Sequence, residues 1–261
     1  MQISTEGIVI RRIKYGENGC IVHIFTRSSG MRHFIVKSGK HRSSGAFFLP
    51  LTQLEFVMTS GKENALGYLK DIRISCPYKT MYQDVKKSTV AIFLSEVLSY
   101  VLQNEIQNTA LFNFMQQSLQ KFDLIQDNPD FHILFLLDLT EFLGFCPQRS
   151  GNSRSNNNDC NMQGYHYGLE PQYPYCSSNN GRGIRNGDIY FDLRNGCFCA
   201  EKPLHNDYFE GNKAVLFSNL VNRREVGRRL PLIEALLSYY KIHTSISDNI
   251  HSLPVLHEVF L

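Results

Sequence analysis

The chain has 261 residues, 43% of them hydrophobic and 20% charged, a composition typical of one large or two ordinary globular domains. It contains no run of about 18 apolar residues, which excludes a transmembrane helix, and its start, MQISTEGIVIRR, lacks the basic-then-apolar order of a signal peptide. We therefore expect a cytoplasmic protein without a membrane partner, in which the seven cysteines are reduced thiols.

The net charge of +3 is distributed unevenly along the chain. Residues 1–80 carry 12 Lys and Arg against 5 Asp and Glu, whereas residues 81–261 carry 15 against 19. A basic N-terminal third joined to a mildly acidic body indicates a polyanionic partner such as nucleic acid. A solvated charged face would give the same counts, and the charge alone does not decide between the two.

The first 78 residues read as a domain of five strands. Short runs rich in β-branched residues lie at 5–13, 20–26, 31–36, 51–58 and 66–74, and most are separated by Gly, Asn and Ser turns. Five strands in about 75 residues, all antiparallel by their short turns, predict a small closed barrel of the OB-like or SH3-like type. The connector from residue 38 to residue 50 is the only long loop.

Residues 79–261 predict a helical domain with an insertion at about 147–205. Apolar residues at three- and four-residue spacing predict helices at 82–102, 109–122, with Thr109 as N-cap, and 131–145, which is apolar nearly all round and belongs in the centre. Residues 147–187 predict a long, partly disordered loop, followed by a hairpin at 188–200 with the turn Arg194-Asn195-Gly196, whose Asn-Gly pair supplies the positive φ of a tight turn. Later helices are predicted at 213–221, 230–242 and 253–261. The fold class is therefore α+β.

Enzymatic and metal motifs are missing from the sequence. It has no GxGxxG, GxxxxGK[ST], HExxH or GxSxG pattern, so we expect no catalytic activity. Cys160, Cys176, Cys197 and Cys199 surround the loop-rich insertion, but none belongs to the C-x2-C pair that structural zinc sites use. Free thiols are favoured over zinc, and no cofactor is expected.

The basic connector and the first strand supply the candidate binding residues. A barrel that binds single-stranded DNA needs cations along the backbone and aromatic faces for the bases. The candidate phosphate-binding residues are Arg11, Arg12, Lys14, Arg32, Lys37, Lys40 and Arg42, and the candidate stacking residues are Tyr15, Phe34, Phe47 and Phe48. Alternation along the strand points Phe34 to the core, whereas at least one of the two loop phenylalanines is expected to be exposed. The cluster of Arg223, Arg224, Arg228 and Arg229 is better explained as a solvated helix end.

Several segments, in order, resemble the RecO family of recombination mediators over nearly the whole chain. They are EGIVIRRIKYGENGCIVHIFTRSSGMRHFIVKSGKHRSS, FFLPLTQLEF, FLSEVLSYVL, FLGFCP, YFDLRNG and SLPVLHEVF. The resemblance implies an N-terminal OB fold, a helical C-terminal domain with a zinc-ribbon-like hairpin insertion, and no enzymatic turnover. It also implies binding and annealing of single- and double-stranded DNA, partnership with RecR and with the C-terminal tail of single-stranded DNA-binding protein, help in loading RecA, and association with the nucleoid.

Two features depart from that family pattern. Many relatives place one C-x2-C pair shortly after the FLGFCP position and another after the hairpin, whereas here residues 150–155 hold no cysteine and only Cys199 fits the second pair, with Lys202 in its partner's place. The zinc site is therefore predicted to be lost. Residues 130–146 also hold no Lys or Arg, so the docking site for an acidic partner tail stays unassigned.

Two further function classes compete with a DNA-binding mediator. The first is a protein-interaction adaptor whose helical body binds a partner tail and whose charge serves solubility. It predicts negligible DNA binding at physiological salt. The second is a zinc-dependent enzyme, which predicts stoichiometric zinc in the purified protein.

Overall fold

A five-stranded barrel forms the N-terminal part of the protein. The structure, a computed structural model, describes residues 2–17, 19–37, 44–59, 66–148, 190–222 and 229–260. The barrel strands are β1 (Gln2–Lys14), β2 (Gly19–Thr26), β3 (Gly30–Lys37), β4 (Gln53–Thr59) and β5 (Leu69–Cys76). Each overlaps a strand predicted from the sequence.

The strand order is β3-β2-β1-β4-β5, and every neighbouring pair is antiparallel. β3 meets the residues immediately before β5 through a parallel bridge between Phe34 and Gly67, where the Ile35 N–H donates to the Gly67 carbonyl and the Gly67 N–H to that of His33. This closure gives the topology of an OB fold and confirms the predicted OB-like barrel. The prediction that the five strands pair antiparallel is confirmed, and the single parallel bridge lies outside those strand pairs.

The barrel core is filled by alternating side chains from four strands and by Phe48 from the connector, and its members are Val9, Cys20, Val22, Ile24, Phe34, Phe48, Leu54, Phe56 and Met58. Gly7 lies against this core. A Cβ atom at Gly7 would approach Ile24 Cγ2 within 2.4 Å and the Phe56 ring within 2.9 Å, so only glycine lets β1 pack this closely. The connector also forms a one-turn helix, α1 (Ser44–Phe47), which is too short to give a periodic signal.

The first two helices after the barrel begin at polar caps. α2 (Val85–Val101) starts after Asp84, whose carboxylate accepts the N–H groups of Lys86 and Lys87. α3 (Thr109–Leu124) starts after Asn108, whose side chain accepts the Leu111 N–H at 3.0 Å. The cap is therefore one residue earlier than the predicted Thr109. α4 (Phe131–Phe142) follows.

The chain packs into two compact units. The first contains Met1–Phe135 and Thr244–Leu261, and the second contains Leu136–His243, so the division falls within α4. The final helix, α7 (Leu253–Phe260), thus belongs with the barrel, α2 and α3. The sequence-based boundary at residues 78 and 79 remains a prediction about domains. In the structure, the barrel packs in one unit with α2 and α3, which follow it in the chain, and with α7 from the C-terminal end.

The second unit contains the hairpin β6 (Tyr190–Asp192) and β7 (Cys197–Cys199), a two-residue strand β8 (Tyr208–Phe209), and the helices α5 (Gly211–Val221) and α6 (Arg229–His243). The strand order is β7-β6-β8. The predicted hairpin is confirmed, but its turn is wider than predicted: Asp192 accepts the Arg194 and Asn195 N–H groups, and only Gly196 has a positive φ. The predicted long loop at 147–187 lies almost wholly outside the described residues.

An aromatic core holds this second unit together. The Phe191 ring lies 4.6 Å from Phe217 and 5.5 Å from Tyr239. Tyr239 donates its hydroxyl to the Phe145 carbonyl, and Tyr240 donates to the Leu136 carbonyl, each at 2.6 Å. Both buried hydroxyls are therefore satisfied by backbone, which offsets the cost of burying them.

One buried carboxylate fixes the end of the barrel to the helices of the first unit. Asp123, near the end of α3, accepts the backbone N–H groups of Lys79, Thr80 and Met81, each at 2.8 Å. Lys87 of α2 is also buried and donates to the Thr80 hydroxyl and to the Asp123 carbonyl. Burial raises the pKa of Asp123, but the hydrogen bonds from the three N–H groups outweigh it and hold the pKa below its ordinary value.

Replacing Asp123 should therefore destabilise the protein in a pH-dependent way. Because the folded pKa is lowered, this carboxylate adds stability above its unfolded pKa of about 3.9, and the contribution is lost as the pH falls through the folded value. We expect Asp123→Asn to lower the free energy of unfolding by about 2–4 kcal/mol at pH 7, and by less near pH 3. Urea unfolding at both pH values measures this, with the exposed Asp127→Asn as control. An equal loss at both pH values would contradict the assignment.

A second carboxylate attaches α7. Glu96 of α2 accepts the backbone N–H groups of His251 and Ser252, each at 2.8 Å, and the Ser252 hydroxyl. These donors lie immediately before α7, so Glu96 takes the place of a capping residue supplied from another helix. The Phe260 ring at the far end of α7 lies 5.5 Å from the His132 ring.

Removing the Glu96 carboxylate should loosen α7 without affecting the barrel. In Glu96→Ala we expect the backbone amides of α7 to exchange with deuterium at least about tenfold faster, because the variant cannot make the three hydrogen bonds to a charged acceptor. Amides of β1 and β2 should keep the parent rate. Glu258→Ala, at an exposed position of α7 itself, is the control. Unchanged protection of α7 in Glu96→Ala would show that apolar packing alone holds this helix.

Candidate nucleic-acid interface

A β-bulge in β1 determines which way its basic residues face. β1 pairs with β4 over residues 2–8 only, whereas its pairing with β2 continues to Lys14. The register with β2 shifts between Val9 and Arg11, which leaves Ile10 as the extra residue. Val9 and Ile10 are both fully buried, and the Ile10 carbonyl accepts the hydroxyl of Ser95 on α2. The strand therefore packs on two sides before its exposed end begins.

Beyond the bulge, the basic residues of β1 are divided between two faces. Arg11 lies opposite His23, whereas Arg12 lies opposite the core residue Val22 and Lys14 opposite Cys20. Directly opposed residues of an antiparallel pair share a face. Arg12 and Lys14 therefore lie on the face that continues the barrel core, and Arg11 lies on the outer face, although all three are exposed. Among the described residues, none of the ion pairs involves these three side chains.

The other predicted cations are less fully described. Arg32 lies opposite Ile24 on the core side of β3 and is partly buried. Lys37 is the last residue of β3, and its side chain lies outside the described part, as do Lys40 and Arg42 altogether. The structure therefore brings the β1 cations to one end of the barrel and leaves the assignment of the connector as a prediction. Arg223, Arg224 and Arg228 also lie outside the described residues.

One cation of the basic N-terminal third has a structural role instead. The Arg27 Nε lies 2.8 Å from a carboxylate oxygen of Glu6, and its two terminal nitrogens donate to the side chains of Asn113 and Gln116. Its guanidinium also lies 4.7 Å from the centre of the Phe112 ring. Since these contacts fix the barrel to α3, Arg27 contributes to folding, and the charge count overstates the cationic surface that remains for a ligand.

Two histidines that sequence analysis did not select complete the outer face. His23 and His33 are directly opposed on β2 and β3, and their ring centres lie 4.2 Å apart. Burial, then the neighbouring His33, then Arg11 lower the pKa of His23 to about 4, while burial and Arg32 lower that of His33. Both rings are therefore uncharged at pH 7. The sequence signal for them was strand alternation, which places His23 on the same face as Ile21 and Phe25 and places His33 on the same face as Met31 and Ile35.

The predicted stacking residues are placed differently from one another. Tyr15, directly after β1, is 53% exposed and is available to a ligand. Phe34 is buried in the core, as its strand alternation predicted. Phe48 is also buried, and Phe47 is partly buried against the same core. The expectation that one loop phenylalanine would be exposed is wrong, because both side chains pack on the barrel core.

Potential metal ligands are dispersed over the described residues. No three His, Cys, Asp or Glu side chains come together as a potential metal site in the part of the chain that the structure describes. Cys197 is buried and Cys199 partly so, whereas Cys160 and Cys176 lie outside that part, so the loss of zinc remains a prediction. None of the described helices has the length and apolar character needed to cross a membrane.

Comparisons with known proteins agree with this architecture. Residues 1–78 match the family model described as Recombination protein O N terminal, and residues 82–191 match Recombination protein O C terminal. The DNA repair protein RecO of Flavobacterium psychrophilum is 30% identical over 274 aligned positions covering all of both chains. That of Azobacteroides pseudotrichonymphae is 27% identical, again over both full lengths, and that of Flavobacterium johnsoniae is 38% identical over 58% of this chain and 65% of its own. With matches to both halves and a relative this similar over its whole length, the chain belongs to the RecO family of DNA repair proteins.

Proposed function

We propose that this protein is a non-catalytic, DNA-binding mediator of recombinational DNA repair. The observation that carries the proposal is the group of exposed Arg11, Arg12 and Lys14 at one end of an OB-like barrel, none of them in an ion pair with another described residue. Cations without a protein counter-ion favour the release of ions condensed on DNA when they bind phosphate. Membership of a DNA repair family supports the same assignment.

The proposed activity is to bind and anneal DNA strands, single and double, in the cytoplasm at the nucleoid. The protein cooperates with RecR, relieves the barrier formed by single-stranded DNA-binding protein through that protein's C-terminal tail, and so helps RecA to load. Neither turnover nor a cofactor is part of the proposal. Arg12 and Lys14 on one face and Arg11 on the other let the end of β1 reach phosphates from two directions, which suits a protein that brings two strands together.

The salt dependence of DNA binding tests the cationic residues. Removing one cation that binds a phosphate should reduce the slope of log affinity against log salt by about 0.7 for a single strand, so Arg11→Gln/Arg12→Gln/Lys14→Gln should lower the slope by about 2. Fluorescence anisotropy of a labelled oligonucleotide at several salt concentrations measures this slope. Lys86→Gln/Lys121→Gln/Lys202→Gln removes the same charge from other exposed sites and is the control.

A third triple variant tests the connector, and DNA binding by the parent protein tests the proposal as a whole. Lys37→Ala/Lys40→Ala/Arg42→Ala tests the connector, and parent-like affinity and slope in this variant would remove the connector from the interface. A parent protein that binds no DNA at physiological salt, but binds RecR or the acidic tail peptide of single-stranded DNA-binding protein, would refute DNA binding and favour an adaptor. We expect the parent to anneal complementary strands, and we expect Arg11→Gln/Arg12→Gln/Lys14→Gln to abolish this annealing.

A further inference from the structure

Two histidines lie directly opposite each other on neighbouring strands of the barrel. His23 of β2 pairs with His33 of β3, and their ring centres are 4.2 Å apart. The Cβ atoms of directly opposed residues in an antiparallel pair are about 4.5–5.5 Å apart, so both rings project from neighbouring points on one face of the sheet. Both side chains are partly exposed. A small solute can therefore reach the pair from the outer face of the barrel.

The angle between the two rings suits a shared metal ion. The ring planes of the pair are inclined at 72°. The lone pair of an imidazole nitrogen lies in the plane of its ring, so two imidazoles can bind one ion only where their planes meet. Parallel planes, as in a stacked pair, never meet, whereas inclined planes meet along a line. Rotation about the terminal torsion, which is broad for histidine, can bring one nitrogen of each ring to about 2.0–2.1 Å from an ion on that line, the length of a zinc–imidazole bond.

The protonation state of the pair also favours coordination. Burial is the largest cause of the lowered pKa of each ring, so at pH 7 both imidazoles are in the neutral form that binds metals. The Nδ1 of His33 is shielded from solvent and has no hydrogen-bond partner among the described residues. A ring nitrogen buried in this way loses the hydrogen bond that water would give it. The pair therefore has bonding capacity that the described part of the protein leaves unused.

The neighbours of the pair select a transition-metal ion over Mg²⁺ or Ca²⁺. Two residues away from the histidines along the same strands, and on the same face, are Ile21, Phe25, Met31 and Ile35. None of these offers the oxygen ligands that Mg²⁺ and Ca²⁺ require, whereas imidazole suits Zn²⁺, Ni²⁺ and Cu²⁺. Water on the exposed side of the pair can fill the remaining coordination positions.

The nearby arginines weaken such a site without abolishing it. Arg11 lies directly opposite His23 and is exposed, and Arg32 is next to His33 in the chain but on the core side of β3. A guanidinium about 7 Å from a divalent ion in water lowers the affinity about two- to sevenfold, and least at physiological salt. The long side chain of an exposed arginine can also turn its charge into solvent.

We propose that His23 and His33 form a cross-strand binding site for a divalent transition-metal ion such as Zn²⁺ or Ni²⁺, with water as the other ligands. The ion joins β2 to β3 on the outer face of the barrel. Because only two ligands come from the protein, the ion exchanges with solvent, unlike the closed four-ligand sites that hold structural zinc. The site contains none of the cysteines, and it does not depend on the proposed DNA-binding function.

Nickel binding tests the site directly. Ni²⁺ is titrated into the metal-free parent protein at pH 7, and its affinity is measured by isothermal titration calorimetry. Protein labelled with isotope only in its nine histidines identifies the ligands by NMR, because paramagnetic Ni²⁺ broadens the signals of the imidazoles that bind it. We expect the signals of His23 and His33 to broaden first. His23→Ala should weaken Ni²⁺ binding at the pair at least about tenfold, since even the loss of an outer-shell partner costs 10–100-fold.

A matched pair of variants separates metal binding from ring packing. His23→Phe/His33→Phe keeps two aromatic rings on the sheet but removes every ligating nitrogen, and it should lose the first Ni²⁺ to bind. His251→Ala removes an exposed histidine elsewhere and should bind Ni²⁺ as the parent does. Thermal unfolding of each variant in the presence of EDTA confirms that the barrel is intact.

A second pair of variants tests on which face the ion lies. Arg11→Gln removes the charge that faces the ion and should raise the Ni²⁺ affinity about two- to sevenfold. Arg12→Gln removes an equally exposed charge from the opposite face of β1 and should raise it less. A larger effect of Arg12→Gln would place the ion on the core side and overturn the proposed site.

The remaining outcomes decide whether the site exists. Selective broadening of His23 and His33 in the parent, together with loss of that binding in His23→Phe/His33→Phe, supports it. If Ni²⁺ broadens the other histidines as strongly as these two, or if the phenylalanine pair binds Ni²⁺ as tightly as the parent, the proposal is refuted. Neither result bears on DNA binding, which the salt dependence tests separately.

Discussion

The bulge at Ile10 is the constraint on which the candidate interface depends. By inserting one residue opposite β2, it allows Val9 and Ile10 to be buried on both sides of the strand, one in the barrel core and the other beside Ser95 of α2. It also determines which face of β1 each later side chain lies on. Arg11 therefore shares a face with His23, while Arg12 and Lys14 face the other way. A regular strand would exchange these faces.

Polar contacts that are buried or partly buried connect the barrel to the helices of the first unit. Asp123 satisfies three backbone N–H groups at the end of the barrel, and Arg27 connects Glu6 of β1 to the side chains of α3. Each group is charged and at least partly buried, so its desolvation must be offset by directed hydrogen bonds. Directed hydrogen bonds and one ion pair therefore fix the barrel to its helices. The charged residues that make them, Asp123 and Arg27, are distinct from the cations exposed at the end of β1.

Family membership and the chemistry of the surface answer different questions. The family assigns the chain to DNA repair, whereas the structure describes the end of the barrel, where exposed Arg12 and Lys14 lie on one face of β1 and Arg11 lies on the other beside His23. Phosphate contacts give affinity that falls with salt and does not depend on sequence or pairing.

Five barrel strands, most of the helices and the surplus of N-terminal cations followed from the sequence, because alternation, helical periodicity and charge are local properties. The sequence missed α1 and β8, since elements of four and two residues carry too little pattern, and it placed the α3 cap one residue late because Asn108 and Thr109 are both good caps. The tertiary structure alone decided that Arg27 is structural, that Phe47 and Phe48 pack on the core, and that His23 meets His33. These facts depend on register between strands and on contacts far apart in the chain, which composition and spacing do not encode.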